Sequence, residues 1–216
     1  MQALFSPDSK FMRVMSRVGD LLMLNLVFLL TCIPVITIGA ASSALYAVCF
    51  RFGTDKEGRL FRTYFHAFGE ELKRGTILWL IILVCGAAAG ANTCVFYLMP
   101  GGIRWAFVLF AILFVLILLI HAYIFPLISQ FTSGIGATFR NALILSLGYL
   151  PRSVLITLFN VFPFVLLLTD FYRFLQMGFL WVALYFATAA YVNSIFLKKI
   201  FAPFIEEKQE EEESPL

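Results

Sequence analysis

The sequence predicts an all-α, polytopic transmembrane bundle of six membrane helices with two cytoplasmic amphipathic segments. Three observations lead there. The 216 residues are 61% hydrophobic and only 13% charged, about half the charged fraction of an ordinary soluble domain and too little to cover a soluble surface. Uncharged stretches recur at lengths that suit a bilayer, about 20 residues at 1.5 Å rise each. Lys and Arg, finally, fall between those stretches with a pronounced sidedness, as cytoplasmic loops require.

The first stretch, Leu21 to Phe50, has thirty uncharged residues, which would make a helix about 45 Å long, too long for one ordinary crossing and short for two. Pro34 removes a backbone donor, and Gly39 stands among the small and β-branched residues Thr37 to Ser43, where a helix can be left and re-entered. The reading is a helical hairpin, Asp20 to Ile36 and Ala40 to Phe52, broken at Pro34 and Gly39 with its tip at the far face. A cleaved signal peptide is the competing account, since a basic start, an apolar run and small residues at Ala40 to Ala44 occur in that order. Against it, the apolar run continues past the cleavage point instead of giving way to a soluble domain.

Next, GRLFRTYFHAFGEELKR places Phe61, Phe65, Phe68 and Leu72 at helical spacing on one face, away from Arg62, Glu70 and Lys73, which reads as a helix along the inner leaflet. Four clear spans follow: Gly75 to Met99, Trp105 to Gln130, Ser153 to Thr169 and Met177 to Leu197. Each is bounded by charge, Pro or Gly, and Trp79, Trp105 and Trp181 lie near ends, as an aromatic belt would place them. Gly86 and Gly90 flank three alanines, a GxxxG stripe suited to close packing inside the bundle, with homodimerisation as the alternative.

Six crossings put fourteen Lys and Arg on one side and two on the other, whereas five crossings give eleven and five. The positive-inside rule selects six, with both termini cytoplasmic in a plasma membrane. Residues 1–205 form a single membrane domain with fifteen bases against seven acids, and residues 206–216 an acidic tail, expected to be disordered, with the other six acids. A basic membrane body points to anionic lipid headgroups as partners and, without a nucleic-acid motif, not to nucleic acid.

At an offset of 78 residues Phe61-Arg62 aligns with Phe139-Arg140, Leu72 with Leu150, Arg74 with Arg152 and Leu80 with Leu158. This is a weak parallel repeat, 40–99 and 105–169, in which a cytoplasmic amphipathic segment lies between two spans. Its Phe and Arg residues, Phe61, Arg62, Phe65, Phe68, Arg74, Arg140 and Arg152, are candidates for docking a partner, being residue types that dominate interfaces. Lipid anchoring is the simpler reading of the same helix.

Catalytic signatures are missing: HExxH, GxSxG, GxxxxGK[ST] and GxGxxG do not occur, and neither His66 nor His121 has a nucleophile or carboxylate at a local spacing. Cys32, Cys49, Cys85 and Cys94 sit in apolar runs with no CxxC pair, so no disulfide, metal or cofactor is expected. The intramembrane polar candidates are Asn25, His121, Asn160 and Asn193, beside Asn92. Bonding between helices is the expected use of these groups, with His121 leading if they line a path. No span holds a charged residue in its middle third, which argues against a proton-coupled pump.

Asn25-Leu26, Cys32-Ile33-Pro34-Val35, Thr37-Ile38-Gly39-Ala40 and Ala44-Leu45-Tyr46, followed by Phe61, Phe65, Ala67-Phe68 and Trp79, resemble the YesL family of bacterial integral membrane proteins, as do Arg140-Asn141-Ala142 and Leu150-Pro151-Arg152. The family has no assigned function or catalytic residues. The resemblance implies an association with carbohydrate uptake, because family members are encoded beside sugar ABC importers. It departs at Glu70 and Glu71, where the family has Asn and Lys or Gln, so a partner docking there would carry different charge. The expectation is a non-enzymatic accessory component of oligosaccharide ABC import, with permease or ATPase subunits as partners. The alternative is a small transporter or channel built on the repeat.

Overall fold

The computed structural model describes residues 10–52 and 60–213. Helix α1 (Lys10–Cys32) ends at Pro34 and a 3₁₀ turn (Val35–Thr37), and α2 (Ile38–Arg51) leads to α3 (Leu60–Glu70). Then come α4 (Leu72–Leu98), α5 (Ala106–Gln130), α6 (Ile135–Gly148) and α7 (Leu150–Thr169), followed by the short α8 (Phe171–Gln176) and α9 (Gly178–Leu180). A π-helical turn, Trp181–Tyr185, opens the last helix, α10 (Phe186–Glu213). No strand occurs among the described residues. The basic residues Lys56 and Arg59 and the end of the acidic tail lie outside the described residues.

Among the described residues, five segments are long and apolar enough to cross a membrane: Val14–Cys32, Leu72–Leu98, Ile103–Gln130, Leu150–Thr169 and Gly178–Ala202. The second arm of the hairpin is shorter. At 14 residues α2 is only about 21 Å long, yet eleven of those residues are buried. A helix apolar on every side belongs inside a bundle, and α2 is surrounded by α1, α3, α4, α5 and α10. Its small residues permit this. Ala40, Ala41 and Ala44 are wholly buried and let neighbouring backbones come close.

The closest approach is between α2 and α4. A Cβ on Gly39 would collide with the Gly75 carbonyl oxygen and lie 2.7 Å from the Trp79 Cβ, and one on Gly75 would lie 2.9 Å from the Ala40 nitrogen. Gly39 is therefore not the helix break that its neighbourhood suggests; it lies within the first turn of α2 and seats that turn on α4. Pro34 alone makes the break, in extended backbone at φ −74° and ψ 109°. In apolar surroundings the carbonyls freed by such a break need donors. The Thr37 hydroxyl donates to the Thr31 and Pro34 carbonyls, both at 2.7 Å, and the Trp79 indole N–H donates to the Val35 carbonyl at 2.8 Å. These contacts fix the tip against α4. It rests on the first two turns of α4, at Gly75 and Trp79.

The α3 contacts also differ from expectation. Tyr64 is fully buried, with its hydroxyl 2.6 Å from the Thr31 hydroxyl and donating at 3.5 Å to the Ala41 carbonyl. Leu60, Ala67 and Phe68 pack beside it, while Phe61 and Phe65 are 50% and 53% exposed. Two adjacent apolar stripes run along this helix, and periodicity alone cannot say which faces the protein. The last helix continues through the acidic segment to Glu213, so the tail expected to be disordered begins as helix. Glu, Lys and Gln are good helix formers, and a preceding helix supplies the nucleus they need.

The glycines separate by contact. Gly86 and Gly90 meet only Ile117 and Phe114 side chains of α5, at 3.7 and 3.4 Å from an added Cβ. Gly75→Ala is expected to lower the stability of the detergent-solubilised chain by about 1–3 kcal/mol, while Gly86→Ala leaves it unchanged or raises it by up to about 1 kcal/mol through helix propensity. Thermal unfolding of the two variants side by side checks the contrast.

Candidate functional site

Asn25 of α1 is completely buried and faces the π-helical turn. Its amide N–H donates to the Trp181 carbonyl at 3.1 Å, and its Oδ1 accepts the Ala187 N–H at 2.8 Å. A π turn shifts the regular helical ladder by a residue, and the Asn25 amide bridges that shift with one donor and one acceptor. Asn25 is thus a backbone repair between two helices, not a residue on a path. Asn92 likewise bonds its own helix, at the Ala88 carbonyl, 2.8 Å away.

The other polar candidates converge. Asn193 Nδ2 donates to Asn160 Oδ1 at 3.2 Å and to the Tyr46 hydroxyl at 3.4 Å, joining α10, α7 and α2. Asn160, Tyr46 and His121 then line one cavity of about 260 Å³, bounded by α1, α2, α4, α5, α7 and the start of α10. Ser42 and Tyr185 are its other polar wall residues beside the Trp79 indole; the remainder is apolar and rich in aromatic rings. The His121 ring stands edge-on to Phe125, with centroids 5.3 Å apart, and lies 6.0 Å from Trp79. Among the described residues, no Asp, Glu, Lys or Arg lines the cavity.

Tyr46, Ser42, Tyr185 and Trp79 were not singled out by sequence as site residues. Their only signal is a hydroxyl or indole N–H inside an apolar run, and that signal also fits the Tyr64 anchor and the Tyr123 hydroxyl, 2.8 Å from Ser153 Oγ.

The Phe and Arg candidates do not form one site. Arg74 turns inward, donating from Nη2 to the Ile128 and Phe131 carbonyls at 3.2 and 2.9 Å, which caps the C-terminal end of α5. It also pairs with Glu71 at 3.1 Å, off the line of a hydrogen bond. Burial pushes the Glu71 carboxyl up from its ordinary range, Arg74 pulls it down and Glu70 pushes it up. Arg152 lies 5.7 Å from the Tyr149 ring. Phe61, Arg62 and Phe65 on α3, Arg140 on α6 and Arg152 on α7 are exposed, while Phe68 packs against the core. Among the described residues no group of three His, Cys, Asp or Glu could hold a metal ion.

Five apolar segments of membrane-spanning length, packed with a short buried helix, are the architecture of a helical multi-pass membrane protein. Residues 21–93, from α1 to most of α4, match the model of the family described as protein of unknown function, DUF624. No curated protein and no solved structure matches the chain.

Replacing Asn25 by Leu leaves the Trp181 carbonyl and the Ala187 N–H without partners, which is expected to cost about 2 kcal/mol. Denaturant or thermal unfolding of N25L in detergent, compared with N92L at the half-buried Asn92, measures it; equal losses would show that the π turn needs no bridge.

Proposed function

We propose that this chain is a non-enzymatic accessory component of carbohydrate ABC import in a bacterial plasma membrane, of the YesL kind, and that it meets permease or ATPase subunits through α3. The carrying observation is the double face of that helix. Its inner stripe is locked by the Tyr64 hydroxyl onto Thr31 and Ala41, while Phe61, Arg62 and Phe65 are held outward as aromatic and Arg groups of the sort that anchor interfaces. A helix fixed in this way loses little freedom on docking. The carbohydrate association comes from the resemblance at Cys32 to Ala40 and Ala44 to Tyr46.

The proposed topology has both termini and α3 inside. A hairpin that turns within the membrane returns to the side it entered, so the fourteen-to-two partition of Lys and Arg holds whether or not α2 crosses completely. A second reading, a small solute transporter, is favoured by the cavity, which is bordered by Asn160, His121 and Tyr46.

Three measurements separate these readings. Affinity purification from native membranes is expected to recover importer subunits with the wild-type chain and at least tenfold less with F61A/R62A/F65A; recovery of none with either chain refutes the accessory reading. Solute flux in proteoliposomes is expected to stay at the empty-vesicle rate, and uptake lost in a His121→Phe variant would favour the transporter. A periplasmic reporter fused after Arg104 is expected to be active, and one fused after Ser133 inactive.

A further inference from the structure

We infer that the cavity between α2 and α5 is a binding site for a neutral, planar ring compound of about two fused rings that carries a hydrogen-bonding oxygen. The first support is where the cavity lies in the chain's repeated architecture. At the 78-residue offset, Glu71 N–H to Ala67 and Gly75 N–H to Glu71 recur as Tyr149 N–H to Leu145 and Ser153 N–H to Tyr149, at 3.1 and 2.7 Å against 3.1 and 3.0 Å. Buried residues recur in step: Tyr64 and Ala142 at 0% exposure, Leu78 and Ile156 at 0% and 1%. Helices α2–α3–α4 and α5–α6–α7 therefore follow one plan. The cavity takes walls from both copies, Ser42 and Tyr46 from α2, His121 and Phe125 from α5, Asn160 from α7. Interfaces between such repeats are where membrane proteins place small-molecule sites.

Chemistry narrows the occupant. With no charged wall residue, a charged ligand would be buried without compensation, so the occupant is neutral. Flat aromatic walls, Phe28, Trp79, Phe125 and Phe186 among them, favour stacked or edge-on rings. A dry cavity of about 150 Å³ takes up benzene, and 260 Å³ has room for a second fused ring. The polar groups set the oxygen. Tyr46 accepts from Asn193 and also meets the Asn160 side chain, whose Oδ1 accepts from Asn193, while the His121 imidazole makes ring contacts with Trp79 and Phe125 and no hydrogen bond among the described residues. These are neutral groups with hydrogen-bonding capacity left for a ligand.

This goes beyond both readings above, since binding requires neither docking on α3 nor movement across the membrane, and the assays fail separately. The test titrates the full chain in detergent with 2-naphthol, naphthalene, 2-naphthoate and glucose by calorimetry. One saturable site is expected, with 2-naphthol about fivefold tighter than naphthalene, the worth of one neutral hydrogen bond, and no heat from 2-naphthoate or glucose. Ala189→Phe, which fills the cavity, is expected to abolish saturable binding. His121→Phe keeps the ring and is expected to retain naphthalene binding while the preference for 2-naphthol falls below about twofold. Equal affinity for naphthalene and 2-naphthol in the wild type would indicate a purely apolar occupant such as an acyl chain, and would overturn the inference. So would saturable binding of 2-naphthoate or glucose, or undiminished 2-naphthol binding in folded Ala189→Phe.

Discussion

The contact on which this fold depends is the backbone-to-backbone seat of α2 on α4 at Gly39 and Gly75. Bringing two helix axes that close admits no side chain at the crossing, and the Gly75 carbonyl and Ala40 nitrogen occupy the space where Cβ atoms would be. In lipid, where hydrocarbon is as apolar as leucine, close packing of small residues is what holds helices together. The seat fixes where the hairpin tip rests, and with it the position of the short helix that α1, α4, α5 and α10 then surround. Trp79, one turn beyond Gly75, uses the same approach to reach the Val35 carbonyl.

A second constraint is that no backbone polar group survives unpaired in apolar surroundings. At three of the places where the described helices are interrupted, Pro34, the α5 end and the π turn, side chains meet the freed backbone groups. Thr37 and Trp79 serve the first, Arg74 the second and Asn25 the third. These residues look functional in sequence because polar groups in apolar runs are costly. Their use here is structural, and the cost of each is offset by the carbonyls it satisfies.

What remains after this accounting is a small set of polar groups with capacity to spare, at one cavity, and one aromatic helix stripe turned outward. The two lie on different elements, and the partners proposed for them differ accordingly, a small neutral molecule for the cavity and a protein surface for α3. Composition bears on the cavity: with 13% charged residues, and none of them among the described residues that line it, its walls offer shape and hydrogen bonds rather than charge.

By itself the sequence determined that the chain is an α-helical membrane protein, where its four long spans fall, and that Pro34 interrupts the first apolar stretch. These follow from properties local to the chain: hydropathy over twenty residues and a missing backbone donor. Sequence also placed Asn160, Asn193 and His121 on apolar helices, but not that two of them would meet Tyr46 at one cavity while Asn25 would not. Likewise it marked Gly39 as special without saying whether it breaks a helix or seats one, and found an apolar stripe on α3 one position away from the buried one. Such choices depend on which neighbour arrives at which face. Only the tertiary structure decides that, because packing and hydrogen-bond satisfaction join residues as far apart as Asn25 and Ala187, and no local period records their meeting.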